Sequence, residues 1–265
     1  MEFYEKIAKE ARLKILDLIH VAQTSHIGSN FSVIDIMAML FENINLEKDK
    51  IILSKGWAAA SLYYFLWRKN RITEDELNSY CMPGSKFIGL AEPIMPDIPA
   101  AGGALGYGFP MGVGFALAKK LKKEDGTIFV IMSDGEMDVG TTWESALIAA
   151  HHGLNNLVII VDYNGFQAMG KKNEILNIEP LKEKWEAFGW DWCYMNGHIF
   201  DTEKSILNRK NLNWWIKKSP IMPHIIIANT IKGKGVSFMQ NNNDWHYLYI
   251  DDESYERAKK ELGQS

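Results

Sequence analysis

A chain of 265 residues, 47% apolar and 23% charged, has the balance of a soluble globular protein and can bury a sizeable core. Its net charge of −4, with no basic stripe interleaved with aromatics, excludes a general nucleic-acid binder. Only Cys81 and Cys193 occur, without metal-type spacing, and no apolar run reaches the roughly 20 residues that span a bilayer, which excludes a disulfide framework, a zinc centre and a membrane protein.

In chain order, the opening Met-Glu-Phe-Tyr-Glu-Lys shows no signal-peptide pattern, so a cytoplasmic location is the expectation. Residues 3–22 place Phe3, Ile7, Ala11, Ile15, Leu18 and Ile19 at helical spacing. After a polar turn, Ser32 is placed to cap a helix whose apolar residues run from Val33 to Phe41. Ile51 to Ser54 reads as a short strand and 58–69 as a helix, and Thr73-Glu74-Asp75-Glu76 opens another helix with a capping box. Residues 81–101 carry Pro83, Pro93, Pro96 and Pro99 and read as a long irregular loop. A glycine-rich run from Ala101 leads into a helix ending at the lysines after Ala118. Strand 127–133, helix 142–152 and strand 157–163 make a βαβ unit. A helix holding Trp185 to Gly189, a short strand from Asp191, a mostly helical stretch over 199–217 and an apolar strand over 223–230 follow. This alternation predicts one domain over 1–265, built on a doubly wound, mostly parallel α/β sheet flanked by helices. Its ligand belongs at the carboxyl ends of the strands, where Asp134, Asn164 and Thr230 fall.

One apolar strand ends in Ser133-Asp134-Gly135-Glu136, and the next ends in Asp162-Tyr163-Asn164-Gly165. A carboxylate and an amide oxygen can then sit side by side at one edge of a parallel sheet. Beside a glycine turn and a helix N-terminus, they suit a magnesium ion holding a diphosphate. Read singly, each is also an ordinary Asp-Gly or Asn-Gly turn. The glycines of 102–114 fit neither the dinucleotide fingerprint nor a phosphate-cradling loop, which leaves tight helix packing as the plain reading. Lys232-Gly233-Lys234-Gly235 follows a buried strand and favours an anion site. His26, in a polar turn, reads either as a structural hydrogen-bonder or as a catalyst. His246, beside Trp245, stays ambiguous, and His151 and His152 complement a helix dipole.

Together these segments resemble the diphosphate-binding half of the transketolase family of thiamine-diphosphate enzymes, in the form of the N-terminal subunit of a split, two-chain transketolase. The resemblance covers nearly the whole chain in order. It runs through Ser25-His26-x-Gly28, Leu53-Ser54-Lys55-Gly56, Pro83-Gly84-Ser85, Gly103-Ala104-Leu105-Gly106-x-Gly108 and Asp134-Gly135-Glu136. It continues through Trp143-Glu144, Asp162-x-Asn164-Gly165, Leu181 to Trp190, Asn196-Gly197-His198, Lys232 to Met239 and Trp245-His246.

The resemblance implies thiamine diphosphate and Mg2+ (or Ca2+ or Mn2+) as cofactors. Asp134, Asn164 and the backbone carbonyl of Phe166 would hold the metal. Gly135 and Glu136 would offer backbone N–H groups to the diphosphate, with Lys232 also on the cofactor. Gly103, Ala104 and Leu105 would lie against the aminopyrimidine. His26 would face the reacting carbon, with His246 as a second catalytic histidine. In this family the activating glutamate belongs to a pyrimidine-binding domain that this chain lacks. The implied assembly is a heterotetramer with a C-terminal partner chain, and the isolated chain is expected to be inactive.

The chain departs from the family pattern in five places. Trp57 and Leu90 stand where the family has histidines that reach the cofactor or the donor's hydroxyls. Tyr107 replaces a glutamine, Val139 an acid of the network linking the two active sites, and Ser133 a glycine. Trp and Leu cannot replace imidazoles as partners for a polyhydroxy ketose, so the expectation is transfer of a two-carbon unit in specialised, modified-sugar metabolism. Three other functions compete with it: a component of a 2-oxo-acid-using thiamine enzyme, a non-catalytic cofactor-binding chain, and a nicotinamide dehydrogenase, the last opposed by the failed dinucleotide spacing.

Overall fold

The computed structural model describes residues 2–200 and 205–264. It opens with α1 (Glu2–Ala22), α2 (Ile27–Asn43), β1 (Lys50–Leu53), α3 (Ala59–Arg68) and α4 (Glu74–Asn78). Then come α5 (Gly108–Lys122), β2 (Ile128–Ser133), α6 (Gly140–His151) and β3 (Leu157–Tyr163). A small hairpin of β4 (Phe166–Gln167) and β5 (Gly170–Lys171) leads into the short α7 (Lys172–Ile175). The rest is α8 (Leu181–Ala187), β6 (Asp191–Asn196), α9 (Arg209–Lys218), β7 (His224–Asn229) and α10 (Asp252–Gln264).

Five strands form one parallel sheet in the order β1-β2-β3-β7-β6. Successive strand side chains point to opposite faces, so the apolar runs feed two cores at once. Leu53, Ile131, Ile160 and Ile226 pack with α1, α2, α3 and α10 on one face. Ile52, Val130, Ile159 and Ile227 pack with α5, α6 and α8 on the other. Two of the tryptophans, Trp185 and Trp190, are fully buried there against Phe109. This is the doubly wound arrangement that the alternating elements predict.

Several boundaries differ from the sequence reading. α2 starts at Ile27 because His26 turns into the left-handed region, with φ 71°, and takes the N-cap position without a side-chain cap. Ser32 therefore lies inside the helix, and its hydroxyl donates to Asp162 instead. Phe3 is exposed rather than packed. The helix expected over 199–217 begins only at Arg209, capped by Asn208; its residues 201–204 lie outside the described ones. The hairpin and α10 were not expected. α10 packs Ala258 and Leu262 into the first core.

The 81–101 segment has only an isolated Met95–Ile98 bridge, as an irregular loop should, yet it is firmly tied down. Phe87, Ala91 and Ile98 are buried. The Ala91 N–H donates to the Gly56 carbonyl at 3.0 Å, and the Gly102 N–H to Ala91 at 2.9 Å. Gly56 in turn donates to the Gly102 carbonyl at 2.9 Å. Two backbones thus cross without side chains between them, and a Cβ on Gly102 would stand 2.1 Å from the Leu53 carbonyl oxygen. Gly102→Ala should cost about 1–3 kcal/mol by overpacking. A urea midpoint equal to that of the unaltered chain would show that the crossing has slack.

Candidate active site

At the carboxyl edge of the sheet lies a cavity of about 300 Å³. Its walls come from the start of α2, the exits of β1, β2, β3 and β7, and the stretch after Asn243. The structure brings His26, Leu105, Gly135, Asn164, Phe166, Lys232 and His246 around this one space. Ser133, Gln167 and Ala168 complete one side, and Lys55, Trp57 and Tyr247 another.

Asp134 is fully buried and holds the turn together. Its Oδ1 accepts the Gly135 N–H at 3.0 Å, and its Oδ2 accepts the Gly165 N–H at 2.7 Å. The second bond ties it to the turn that carries Asn164, whose Oδ1 accepts the Phe166 N–H at 3.0 Å. The two expected oxygen ligands are thus adjacent, each with lone pairs to spare. Burial, with Asp162 nearby, pushes the Asp134 carboxyl up to about 7. A hard cation at this edge would restore its ionised form, so these residues fit a divalent metal. Among the described residues no cluster of three or more His, Cys, Asp or Glu forms a metal site, so carbonyl, amide and ligand oxygens would have to complete the shell.

The N–H groups expected to face a diphosphate already have protein acceptors. The Gly135 N–H points to its neighbour's carboxylate, and the Glu136 N–H donates to Ser133 Oγ at 3.2 Å. The Glu136 side chain accepts from Ser54 Oγ and, at 3.0 Å, from the Gly106 N–H. Its Oε2 is buried without a partner, and burial pushes the carboxyl to about 7. Gly103 and Ala104 lie beside the cavity wall; the Gly103 carbonyl accepts the Trp57 indole N–H at 3.2 Å.

Two lysines and two neutral imidazoles also line the cavity. Lys232 Nζ lies 2.6 Å from Asn243 Oδ1 and 2.9 Å from His246 Nδ1. Burial and Lys55 lower its pKa to about 8. Burial, then Lys232, pushes His26 down to about 4 and His246 to about 3, so both rings are neutral near pH 7. Trp57 stacks on His26 at 4.5 Å with a 14° interplanar angle. The residue that departs from the family pattern is therefore a wall of the site.

Sequence reasoning gave Lys55 and Asp162 no role, yet they form a buried ion pair. Asp162 also accepts from Ser32 and Thr230. A charged residue at the carboxyl end of an apolar strand, inside it for Asp162 and two positions past it for Lys55, was the available signal. His198 and Asp35 were likewise missed as supports. Arg12 forks onto both Asp35 oxygens at 2.9 and 2.7 Å, and His198 Nδ1 lies 2.5 Å from Oδ2. His198 Nε2 accepts the Ile231 N–H at 2.7 Å, which fixes the backbone next to Lys232.

The family profile for the transketolase thiamine diphosphate-binding domain matches residues 4–265. The chain belongs to the transketolase family. One of the subunits of the apulose-4-phosphate transketolase of Phocaeicola vulgatus is 32% identical, with 100% of this chain and 95% of that protein covered. The 6-deoxy-6-sulfo-D-fructose transketolase subunit SqwG of a Clostridium species is also 32% identical, covering 96% and 94%. Among solved structures, the transketolase of Campylobacter jejuni superposes with a TM-score of 0.88 at 27% identity, over 99% of this chain and 43% of that one. This transketolase relative thus has the length of separate subunits and under half that of the Campylobacter enzyme. Membership makes it a transketolase-like transferase component with a thiamine diphosphate-binding α/β fold.

Lowering the Asp35 pKa to about 2, chiefly through Arg12 acting against burial, ties this support to pH. Its folded pKa lies below the ordinary 3.8, so its contribution is complete above about 4 and fades as pH falls toward 2. Asp35→Asn should cost about 3–5 kcal/mol at pH 7, because Arg12 is left buried and uncompensated. The gap in urea midpoint between the two proteins should narrow between pH 4 and 2. A gap that is constant across that window would refute the assignment.

Proposed function

We propose that this chain is the diphosphate-binding half, folded as a single domain, of a two-chain thiamine-diphosphate transketolase. It moves a two-carbon ketol unit from a ketose-type donor to an aldehyde or ketone acceptor in modified-sugar metabolism. One observation carries this reading: a single cavity gathers Gly135 and Asn164, from the two turns that buried Asp134 ties together, with His26, His246 and Lys232, and Trp57 stacks on His26. The names of the two relatives, one an apulose-4-phosphate and the other a 6-deoxy-6-sulfo-D-fructose transketolase component, support the substrate class.

In this reading Asp134, Asn164 and the Phe166 carbonyl hold Mg2+, with Ca2+ or Mn2+ as substitutes. Lys232 and the backbone N–H groups of Gly135 and Glu136, exchanging their present protein acceptors for phosphate oxygens, hold the diphosphate, and Gly103, Ala104 and Leu105 flank the pyrimidine. Thiamine diphosphate supplies a carbon nucleophile and an electron sink. The chain's own residues orient and move protons. His26 and His246 are neutral imidazoles that can hydrogen-bond to the reacting oxygens. Trp57 walls the cavity and Leu90 packs on Gly103, and neither offers the imidazole partner for sugar hydroxyls that the family pattern has. A C-terminal pyrimidine-binding partner contributes the activating glutamate, in a heterotetramer in the cytoplasm. A 2-oxo-acid enzyme has no comparable support among the relatives.

Calorimetric titration of thiamine diphosphate with Mg2+ tests this, into the chain alone and into the chain mixed with its candidate partner. Tight binding is expected only in the mixture and should vanish with Asp134→Ala. No binding in either sample would sink the cofactor assignment. Turnover of xylulose 5-phosphate with ribose 5-phosphate at ordinary transketolase rates would overturn the modified-sugar part alone.

A further inference from the structure

The two cavity histidines are not equivalent. An ammonium group has three protons to give and no lone pair to accept with. At 2.9 Å from His246 Nδ1, Lys232 therefore requires the Nδ1 lone pair to face it, which leaves the ring proton on Nε2. Lys232 is itself held from several sides. Asn243 Oδ1 takes a second ammonium proton at 2.6 Å, while the Asn243 amide donates to the Ala168 carbonyl at 3.0 Å. The Lys232 carbonyl accepts the Asn241 N–H at 2.9 Å, and the next residue, Gly233, donates to the Gly28 carbonyl at 3.1 Å. The lysine side chain lies against Gly28, where an added Cβ would stand 3.3 Å from its Cγ. The ammonium has little freedom to leave the imidazole.

His26 meets a different partner. Its Nδ1 lies 2.7 Å from Ser25 Oγ. A hydroxyl both donates and accepts, so rotating one O–H bond serves either tautomer. The stacked Trp57 fixes the ring plane without touching a ring nitrogen by hydrogen bond, because its indole N–H is spent on the Gly103 carbonyl. Neither Nε2 has a protein partner among the described residues. Both rings line the cavity, with centroids 4.8 Å apart.

We propose that Lys232 is a positioning residue that locks His246 in its Nε2–H tautomer, so that His246 is a fixed hydrogen-bond donor while His26 alone can exchange a proton with the substrate. This rests on the transketolase reading for what the cavity holds, but the tautomer is a property of the chain itself. At neutral pH the protonation states agree: Lys232 is lowered only to about 8 and His246 is neutral. The charged groups that act on Lys232 are Lys55, Asp134 and Asp162, and those on His246 are Lys232, His26 and Lys55.

The test is nitrogen-15 NMR of the imidazole nitrogens in the full chain at pH 7, without cofactor. His246 should show one neutral form, with Nε2 protonated. Lys232→Glu puts an acceptor at Nδ1 and should move the proton there; Lys232→Met should release a minor Nδ1–H fraction, and Lys232→Arg should restore the single form. An Nδ1–H form in the unaltered chain, or no change in either the Glu or the Met variant while it remains folded, would overturn the proposal. In the complex with the partner, His246→Gln keeps an N–H donor and should lose about tenfold in kcat/KM, mainly through KM, as for one weakened hydrogen bond. His26→Gln cannot shuttle a proton and should lose about 10²–10⁴-fold in kcat. Equal losses in kcat would refute the division of labour. A locked tautomer in a chain that catalyses nothing with any partner would instead sink the transketolase reading and leave the lock standing.

Discussion

The site depends on one buried carboxylate. Asp162 is the penultimate residue of β3, is wholly shielded from solvent, and accepts from Lys55 at the exit of β1, Ser32 in α2 and Thr230 at the exit of β7. Those three places, with the exit of β3 itself, carry His26, Trp57, Asn164 and Lys232. A buried ion pair adds little net stability over a well-packed apolar substitute, but removing one partner is costly. Its value here is geometric: elements far apart in sequence are drawn to one point at the edge of the sheet. Glu136 repeats the device by joining β2 to Ser54 and Gly106, and Asp35 does so by joining Arg12 to His198 and the Ile231 backbone.

These knots leave an unbalanced charge distribution around the cavity. Asp134 and Glu136 are driven toward neutrality by burial. Lys232 sits near Lys55 and two histidines whose protonation it suppresses. No single simple ion relieves both halves. A cation would suit Asp134 and an anion would suit Lys232, so a metal–diphosphate pair answers both at once.

The periodicity of the sequence carried the layers of the fold. The strand at 157–163 has the predicted bounds because its apolar run stops at an acid and an asparagine, and the Asp134–Asn164 pairing follows from adjacent parallel strands. What was illegible lay in tertiary contacts between distant residues. Nothing local announces that Lys55 meets Asp162, or that Trp57 stacks on His26. The early start of α2 depends on a left-handed His26, a conformation that a propensity argument does not anticipate. The hairpin at 166–171 is too short to carry a strand pattern. α10, by contrast, was readable: Asp251 accepts the Ser254 N–H as a cap, and Tyr255, Ala258 and Leu262 repeat at helical spacing.

Four of the five departures from the family pattern are not scattered. Trp57 donates to the Gly103 carbonyl, and Leu90 packs against Gly103, where an added Cβ would meet its Cδ1 at 3.3 Å. Val139 packs against Gly106, together with Thr141, whose hydroxyl donates to the Gly106 carbonyl at 2.8 Å. Tyr107 belongs to the same stretch and is exposed. All four thus converge on residues 103–107, beside the cavity. Random loss of function would spread substitutions over the site and spare no ligand in particular. Here Asp134, Asn164, both histidines and Lys232 persist, and the change falls on one loop and the side chains that pack on it, with Ser133 beside Asp134 as the exception. Such a pattern fits the proposed change of substrate, and it weighs against a merely cofactor-binding relative.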